Sequence, residues 1–267
     1  MKRYFFHIAY RGTSYRGWQR QPNVRSVQEM LEKYLARTLK LPMISIIGCG
    51  RTDAGVHASQ YIFHTDLVSI PDRLAFMLNK QLPDDIVIFD IFNLDYDLHA
   101  RFGAIKRTYD YFWHQPKDPF LVGLSSHCPY PEPLNIERMQ AALAIMAQQS
   151  DFAAFCKSPD KHNTTICHIK NISLYQDKTG QRFRLQITAN RFLRGMIRIL
   201  VQKVLEIGEG YSTLEDLQHS FDTNTRGAKL KSAPADGLYL SVIEYPKLQL
   251  PSQTIFPIFD LQWNKIH

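Results

Sequence analysis

In the first hundred residues, some segments alternate apolar and polar positions as a strand does, and others repeat apolar positions every three or four residues as a helix does. The segment Arg3 to Tyr10 is short, aromatic and β-branched, which is typical of a strand. Ser26 and Glu29 have capping-box spacing, and the apolar positions that follow recur every three or four residues, which predicts a helix up to Pro42. Shorter patterns predict strands at Ile44–Cys49 and Tyr61–His64, a helix between Pro71 and Pro83, and a strand at Ile86–Phe92.

The rest of the chain repeats this order of strands and helices. Alternating aromatic residues in Arg107–His114 predict a strand with one aromatic face. Apolar positions predict one helix from about Asn135, with Met139, Ala142, Leu143 and Met146 facing inward. They predict another helix at Phe192–Ile207, which ends at Gly208. Further patterns predict strands at Ile166–Tyr175, Phe183–Ala189 and Leu238–Tyr245, and a helix near Leu214–Phe221.

The order of these elements predicts the fold class. Strands flank single helices in both halves, so we expect an α+β fold with a largely antiparallel sheet and two similar lobes. The N-terminal lobe would carry the loop around Asp53, and the C-terminal lobe would carry the strand with Tyr109 and the helix with Arg198. The expected boundaries are 1–104 for the first lobe, 105–246 for the second and 247–267 for a C-terminal tail.

Composition narrows the class of protein. Of 267 residues, 45% are hydrophobic and 21% charged, which is typical of a globular chain. No apolar run approaches the ~18 residues of a membrane span. The N-terminal apolar run meets Arg11 before it forms a signal-peptide core, so we expect a cytoplasmic protein. The spacing of Cys156, His162, Cys167 and His168 fits no common zinc site, so we expect no metal.

The net charge of +7 is unevenly distributed along the chain. Residues 1–28 and 178–205 contain no Asp or Glu, yet they hold 13 of the 32 Lys and Arg residues. Clustered positive charge of this kind indicates a polyanionic partner such as nucleic acid. Alternatively, acidic residues from elsewhere in the fold neutralise both stretches, and charge alone does not decide between these interpretations.

The segment Gly50-Arg51-Thr52-Asp53-Ala54-Gly55-Val56-His57, here called the Asp53 loop, is the first candidate for chemistry. Its two glycines allow positive φ angles and a sharp turn that presents the polar side chains together. A neighbouring guanidinium would favour the ionised carboxylate of Asp53, which could act as a nucleophile or general base. The alternative is a structural role, in which Asp53 only bonds the backbone of the turn.

A second candidate is the arginine cluster near the predicted helix at 192–207. Arg191, Arg194 and Arg198 are three and four residues apart, so we expect them to share one helix face. Three guanidinium groups on one face could grip phosphates or hold a catalytic carboxylate. An ordinary solvated helix face is the alternative.

The N-terminal loop is a third candidate. Tyr15 and Trp18 lie there among Arg11, Arg16 and Arg20. This mixture of flat rings and positive charge suits stacking on bases and pairing with phosphates. The alternative is that the two aromatic rings pack beneath the lobe.

The Asp53 loop resembles the signature loop of the TruA-type tRNA pseudouridine synthases. Six further segments resemble motifs of this family in the same order, and together they cover most of the chain. They are Tyr10 to Gln21 (YRGTSYRGWQRQ), Ser26 to Glu29, His99 to Phe102 with Tyr109 and Tyr111, Asp151 and Phe152 with Phe155, Met196 to Arg198, and Ala233 to Leu240.

The resemblance implies conversion of uridine to pseudouridine in the tRNA anticodon stem-loop, at nucleotides 38, 39 and 40, without a cofactor. It implies that Asp53 is the nucleophile, that Tyr109 packs against a flipped target base, and that Arg198 partners the carboxylate. A homodimer with tRNA in a central basic cleft is also implied. The residues expected to bind the substrate are Arg16, Trp18, Arg20, Arg51, His57, Arg101 and Arg194.

The chain also departs from the family pattern. The family usually has Asp at the position of Arg11, a basic residue near Asp110, and Asn and Gly at Ile199 and Gln202. These differences leave an altered tRNA preference open, and we expect Asp110 to weaken local attraction for phosphate. Two other classes remain open: an RNA-binding protein without Asp53 chemistry, and a hydrolase of a small substrate, which would leave the charge unexplained.

Overall fold

The computed structural model describes residues 1–130, 132–225, 231–250 and 263–266. These residues form two units. Unit 1 comprises residues 1–107 and 239–250, and unit 2 comprises the described parts of 108–238 together with 263–266. Residues 239–246, which are predicted to belong to the second lobe, lie in unit 1 because they contain a strand that pairs with an N-terminal strand.

Ten strands and five α-helices occur in the described residues. The strands are β1 Lys2–Tyr10, β2 Ile47–Gly48, β3 His57–Leu67, β4 Ile86–Asn93, β5 Lys106–His114, β6 Ser126–His127, β7 Ile169–Gln176, β8 Arg182–Ala189, β9 Leu238–Glu244 and β10 Asn264–Lys265. The helices are α1 Val27–Leu39, α2 Leu74–Asn79, α3 Ile136–Gln148, α4 Met196–Gly208 and α5 Leu214–Thr223. Most strand pairs are antiparallel, so the predicted α+β class with a largely antiparallel sheet is confirmed.

The sheet of unit 1 is centred on β1. This strand pairs antiparallel with β3 on one side and with β4 on the other. Strand β9 extends the sheet by pairing in parallel with β3, with His57 opposite Tyr239. The residues from Phe5 to Tyr10 are all buried, and Phe6 stacks on Phe63 with ring centroids 4.5 Å apart. Aromatic residues of adjacent strands therefore form the core of this unit.

Helix α1 begins where the sequence predicts and ends at Leu39, three residues before Pro42. The Ser26 side chain accepts a hydrogen bond from the Glu29 N–H at 3.3 Å, which satisfies a donor that the first turn leaves open. At the other end, Lys40 takes a left-handed conformation with φ of 54°, and the helix stops there. Val27, Leu31 and Leu35 form its buried stripe.

Unit 2 is built on the antiparallel pair β7 and β8. Strand β10 pairs with β7, and β6 pairs in parallel with β5. Helix α3 packs against α4 and β7. Its buried residues are the four that its periodicity predicts: Met139, Ala142, Leu143 and Met146.

Three predicted boundaries are wrong. The strand expected at Ile44–Cys49 is reduced to the two residues of β2. Strand β3 begins at His57 rather than Tyr61, so His57 belongs to the sheet and not to the loop. Helix α4 begins at Met196, after the expected start at Phe192, because Gly195 has a left-handed φ of 71° that interrupts the helix.

The other predicted elements agree with the structure to within a few residues. The tail expected at 247–267 lies mostly outside the described residues, and its described part includes β10. Across the described ranges, no helix has both the length and the apolar character that crossing a membrane requires.

Candidate active site

The Asp53 loop connects β2 to β3 and turns sharply at its centre. The Val56 N–H donates to the Asp53 carbonyl oxygen at 3.2 Å, and Gly55 takes a left-handed φ of 79°. Gly50 does not have a positive φ, so only one of the two glycines serves the turn in this way. Asp53 is partly exposed and Arg51 is exposed, whereas Thr52 is buried. The loop therefore exposes the charged side chains of Arg51 and Asp53, while Thr52 between them is buried.

The N-terminal segment at residues 10–18 supports the Asp53 loop through backbone hydrogen bonds. The Gly55 N–H donates to the Tyr15 carbonyl at 3.1 Å, and the Trp18 N–H donates to the Thr52 carbonyl at 3.2 Å. The Tyr10 hydroxyl also lies 2.8 Å from the Thr52 hydroxyl. Buried hydrogen bonds of this kind hold the loop in one conformation.

His57 takes part in the same support. Its Nδ1 accepts a hydrogen bond from the Gly12 N–H at 3.0 Å. Its ring stacks on Tyr239 with centroids 4.5 Å apart, and only 1% of the residue is exposed. The role predicted for His57 in binding substrate is therefore corrected to a role in holding the loop.

Two glycines allow the N-terminal segment to approach the Asp53 loop closely. A β-carbon at Gly12 would overlap the Val56 carbonyl, and one at Gly17 would overlap the Thr52 carbonyl. Gly17 also has a φ of 89°, which side chains other than glycine rarely adopt. The backbone hydrogen bonds between the two segments depend on this close approach.

We expect Gly12→Ala to lower the free energy of unfolding by about 1–3 kcal/mol, because the new methyl group must displace buried backbone. Gly50→Ala is the matched control, since a β-carbon at Gly50 would meet no described atom within 4 Å. Chemical denaturation of both variants provides the measurement. Equal stability of Gly12→Ala and Gly50→Ala would contradict close packing at Gly12.

The aromatic residues of the N-terminal loop lie in the core. Trp18 is 2% exposed and stacks on Tyr61 with centroids 4.0 Å apart. Tyr15 is equally buried, its hydroxyl donates a short hydrogen bond to Asp85, and the Arg25 guanidinium lies over its ring. Burial raises the pKa of the Tyr15 phenol. The prediction that Trp18 stacks on substrate is therefore wrong, and the structural alternative is correct for both rings.

Acidic residues neutralise part of each basic stretch. In residues 1–28, Arg3 pairs with Asp66 at 2.9 Å, and Arg20, a predicted substrate residue, pairs with Glu32 at 3.2 Å. Arg16 is exposed and has no ion pair within the described residues. The charge available to an external anion is thus smaller than the sequence indicates.

The same neutralisation occurs at Asp110 in unit 2. This buried carboxylate accepts hydrogen bonds from Arg184 at 2.7 Å and from Gln186 at 3.1 Å. Because its charge is compensated locally, the expectation that Asp110 weakens attraction for phosphate is not supported. Arg182 pairs with Asp118 at 3.1 Å in the same way.

Tyr109 and Arg198 both lie in unit 2. Tyr109 is 9% exposed and meets Phe192 edge to face with centroids 5.3 Å apart. Arg198 is partly buried in the first turn of α4, and its Nε donates to the Ala233 carbonyl at 2.6 Å. The Ala233 N–H donates back to the Arg198 carbonyl at 2.9 Å, so the segment around Ala233 fixes the guanidinium.

The three arginines near α4 do not share a helix face. Arg191 and Arg194 precede the helix, and Gly195 turns the chain between them and Arg198. The prediction of one face with three guanidiniums is therefore wrong. Arg194 is exposed and Arg198 is partly buried, so the two side chains have different environments.

A buried hydroxyl network that the sequence pattern does not predict reaches Pro234, next to the Arg198 partner Ala233. The Tyr111 hydroxyl lies 2.8 Å from Ser126 Oγ, which donates to Asp236 at 2.6 Å. The Tyr111 hydroxyl also donates to the Pro234 carbonyl at 3.1 Å, and burial raises its pKa. Tyr111 and Asp236 lie in segments that resemble family motifs, whereas no motif or spacing in the sequence indicates Ser126.

Comparison with known proteins defines the class to which this fold and site belong. Residues 149–246 match a family model described as tRNA pseudouridine synthase. The chain is 39% identical to tRNA pseudouridine synthase A of Porphyromonas gingivalis over 251 residues, which is 92% of this chain and 98% of that protein. It is 36% identical to the protein of the same name in Parabacteroides distasonis, over 97% of this chain and 100% of that protein. The chain belongs to the tRNA pseudouridine synthase A family.

Proposed function

We propose that this protein converts uridine to pseudouridine at nucleotides 38, 39 and 40 of tRNA, with Asp53 as the nucleophile. Members of its family are isomerases that act on tRNA. The observation that carries the assignment of Asp53 is its position: a partly exposed carboxylate on a turn whose backbone is held by buried hydrogen bonds. A nucleophile needs this combination of access and fixed orientation.

The reaction needs no redox partner and no energy input, because the product is an isomer of the substrate. The N1–C1′ bond breaks and a C5–C1′ bond forms, while C5 loses a proton and N1 gains one. A stacked and paired base does not expose these atoms, so the target uridine must leave the stack. We assign Tyr109 to pack against the flipped base and Arg198 to partner the Asp53 carboxylate.

The exposed cations are proposed to bind the tRNA backbone. Arg16, Arg51, Arg101 and Arg194 are all exposed, which suits contact with phosphate. Arg20 is expected to contribute less to phosphate binding, because it also forms an ion pair with Glu32. We further propose that the protein acts as a homodimer and in the cytoplasm, as the family resemblance implies.

Pseudouridine mapping tests this function. We expect tRNA from cells that lack the protein to have lost pseudouridine at nucleotides 38, 39 and 40, and expression of the wild-type chain to restore it. The purified protein should form the same products on unmodified transcripts without added cofactor. A protein that binds tRNA without forming pseudouridine would support the RNA-binding class instead, and an unchanged map would remove tRNA modification from its functions.

A further inference from the structure

One aromatic side chain in unit 1 is largely exposed. Phe102 lies in the loop between β4 and β5 and is 77% exposed. The guanidinium of its neighbour Arg101 lies 5.5 Å from the ring centroid, and Arg101 is itself exposed. An exposed ring beside an exposed guanidinium combines the two groups that stack on bases and contact phosphates in complexes with single-stranded nucleic acid.

His99 fixes the backbone that carries this ring. Its Nδ1 accepts hydrogen bonds from the N–H groups of Arg101 and Phe102, at 3.1 and 3.2 Å. Its carbonyl accepts from the Gly103 N–H at 2.8 Å. His99 thus accepts hydrogen bonds from three consecutive backbone N–H groups of the turn that carries Phe102.

Ala100 anchors the same turn in the core. Its N–H donates to Nδ1 of the buried His64 at 3.2 Å, and its carbonyl accepts from the Tyr245 hydroxyl at 2.6 Å. Burial lowers the pKa of His64 to about 4, so this nitrogen stays an acceptor at neutral pH. Ala100 therefore has both backbone groups bonded to buried side chains.

Arg107 joins the Phe102 turn to the segment that enters the Asp53 loop. Its Nη2 donates to the Arg101 carbonyl at 2.8 Å and to the Cys49 carbonyl at 3.1 Å. Its Nη1 donates to the Ala104 carbonyl at 3.2 Å. Because Cys49 directly precedes the Asp53 loop, Arg107 links the backbone of the Phe102 turn to the start of the segment that carries the proposed nucleophile.

We propose that Phe102 stacks on a nucleobase of the tRNA near the target uridine and that Arg101 contacts a phosphate beside that base. This inference rests on the proposed function. No acidic residue occurs between Leu98 and Tyr109, so the local charge favours a nucleic acid over an acidic protein surface. A ring held on a fixed backbone loses little conformational entropy on binding, and every base offers a face to it.

The test compares Phe102→Ala with Phe120→Ala, a matched control in unit 2 whose ring is 83% exposed. Binding to a labelled anticodon stem-loop is measured by fluorescence anisotropy, and folding by thermal melting. We expect Phe102→Ala to weaken binding by about 5- to 100-fold at an unchanged melting temperature, since loss of one stacked base has this effect. Phe102→Trp should restore most of the affinity, and Phe120→Ala should bind like the wild type.

Salt dependence separates the ring from the charge. Arg101→Gln should lower the log–log salt slope by about 0.7 to 0.9, whereas Phe102→Ala should leave the slope unchanged. A photoreactive phenylalanine at position 102 should cross-link to the RNA. Cross-linking to a second copy of this chain, or wild-type affinity in Phe102→Ala, would overturn the proposal.

These outcomes distinguish this inference from the proposed function. Binding that depends on Phe102, in a protein that forms no pseudouridine, would refute the proposed chemistry and support the stacking role. Normal pseudouridine formation and normal affinity in Phe102→Ala would refute only the stacking role.

Discussion

Asp53→Asn is expected to abolish pseudouridine formation and to leave tRNA binding nearly unchanged. The substitution is close to isosteric, but an amide cannot act as an anionic nucleophile. We expect the single-turnover rate to fall on the order of 10³-fold or more, the scale at which loss of a nucleophile reduces turnover. The measurement is single-turnover pseudouridine formation on an unmodified transcript, with affinity determined in parallel.

The turn itself should survive this substitution. The hydrogen bond from Val56 uses the Asp53 carbonyl, which Asn retains. Asp84→Asn is the charge-matched control, because Asp84 is an exposed carboxylate of unit 1 that lies outside the loop. If purified Asp53→Asn turned over at a rate similar to Asp84→Asn, Asp53 would not be the nucleophile.

Arg198→Ala is expected to reduce the single-turnover rate at saturating tRNA far more than Arg194→Ala does. We expect a loss of about 100-fold at Arg198, the scale measured when one preorganised donor is removed from an active site. At Arg194, where the side chain is exposed, the loss should be below about fivefold. The difference follows from the fixed Arg198 Nε, which is bonded to the Ala233 carbonyl.

Arg198→Lys provides the second arm of this comparison. Lysine keeps the positive charge but lacks the planar fork that holds the guanidinium in one orientation. We therefore expect Arg198→Lys to remain well below the wild-type rate while tRNA affinity is retained. Equal losses at positions 194 and 198, with recovery in Arg198→Lys, would mean that these residues act only as a charged patch.

The helices were the most predictable part of the fold. Helix α1 follows from a Ser26 cap and from apolar residues three and four apart, and α3 buries the four residues that its periodicity selects. These features depend on neighbours within a turn or two of chain, so the sequence alone contains them. The start of α4 was missed because periodicity continues through Gly195 although its backbone is left-handed.

The sequence predicts which segments form the candidate site better than it predicts the role of each residue within them. The motif around Asp53 predicts a carboxylate that is accessible on a turn. In the structure, Asp53 is partly exposed, and backbone hydrogen bonds hold its turn. The roles of Trp18 and His57 were wrong because a loop motif does not report burial. Both side chains are enclosed by residues from other strands, which only the folded chain brings together.

The sequence by itself determined the class of this protein, the α+β fold and the segment that carries Asp53, since these follow from local periodicity and from motifs in order along the chain. The tertiary structure alone decided which charges and rings remain available. Asp110 meets Arg184 across 74 residues of sequence, and Trp18 is covered by Tyr61, whereas Phe102 stays exposed on an anchored turn. Burial and charge compensation depend on distances in the folded state, and distances between residues far apart in sequence are set only when the chain folds.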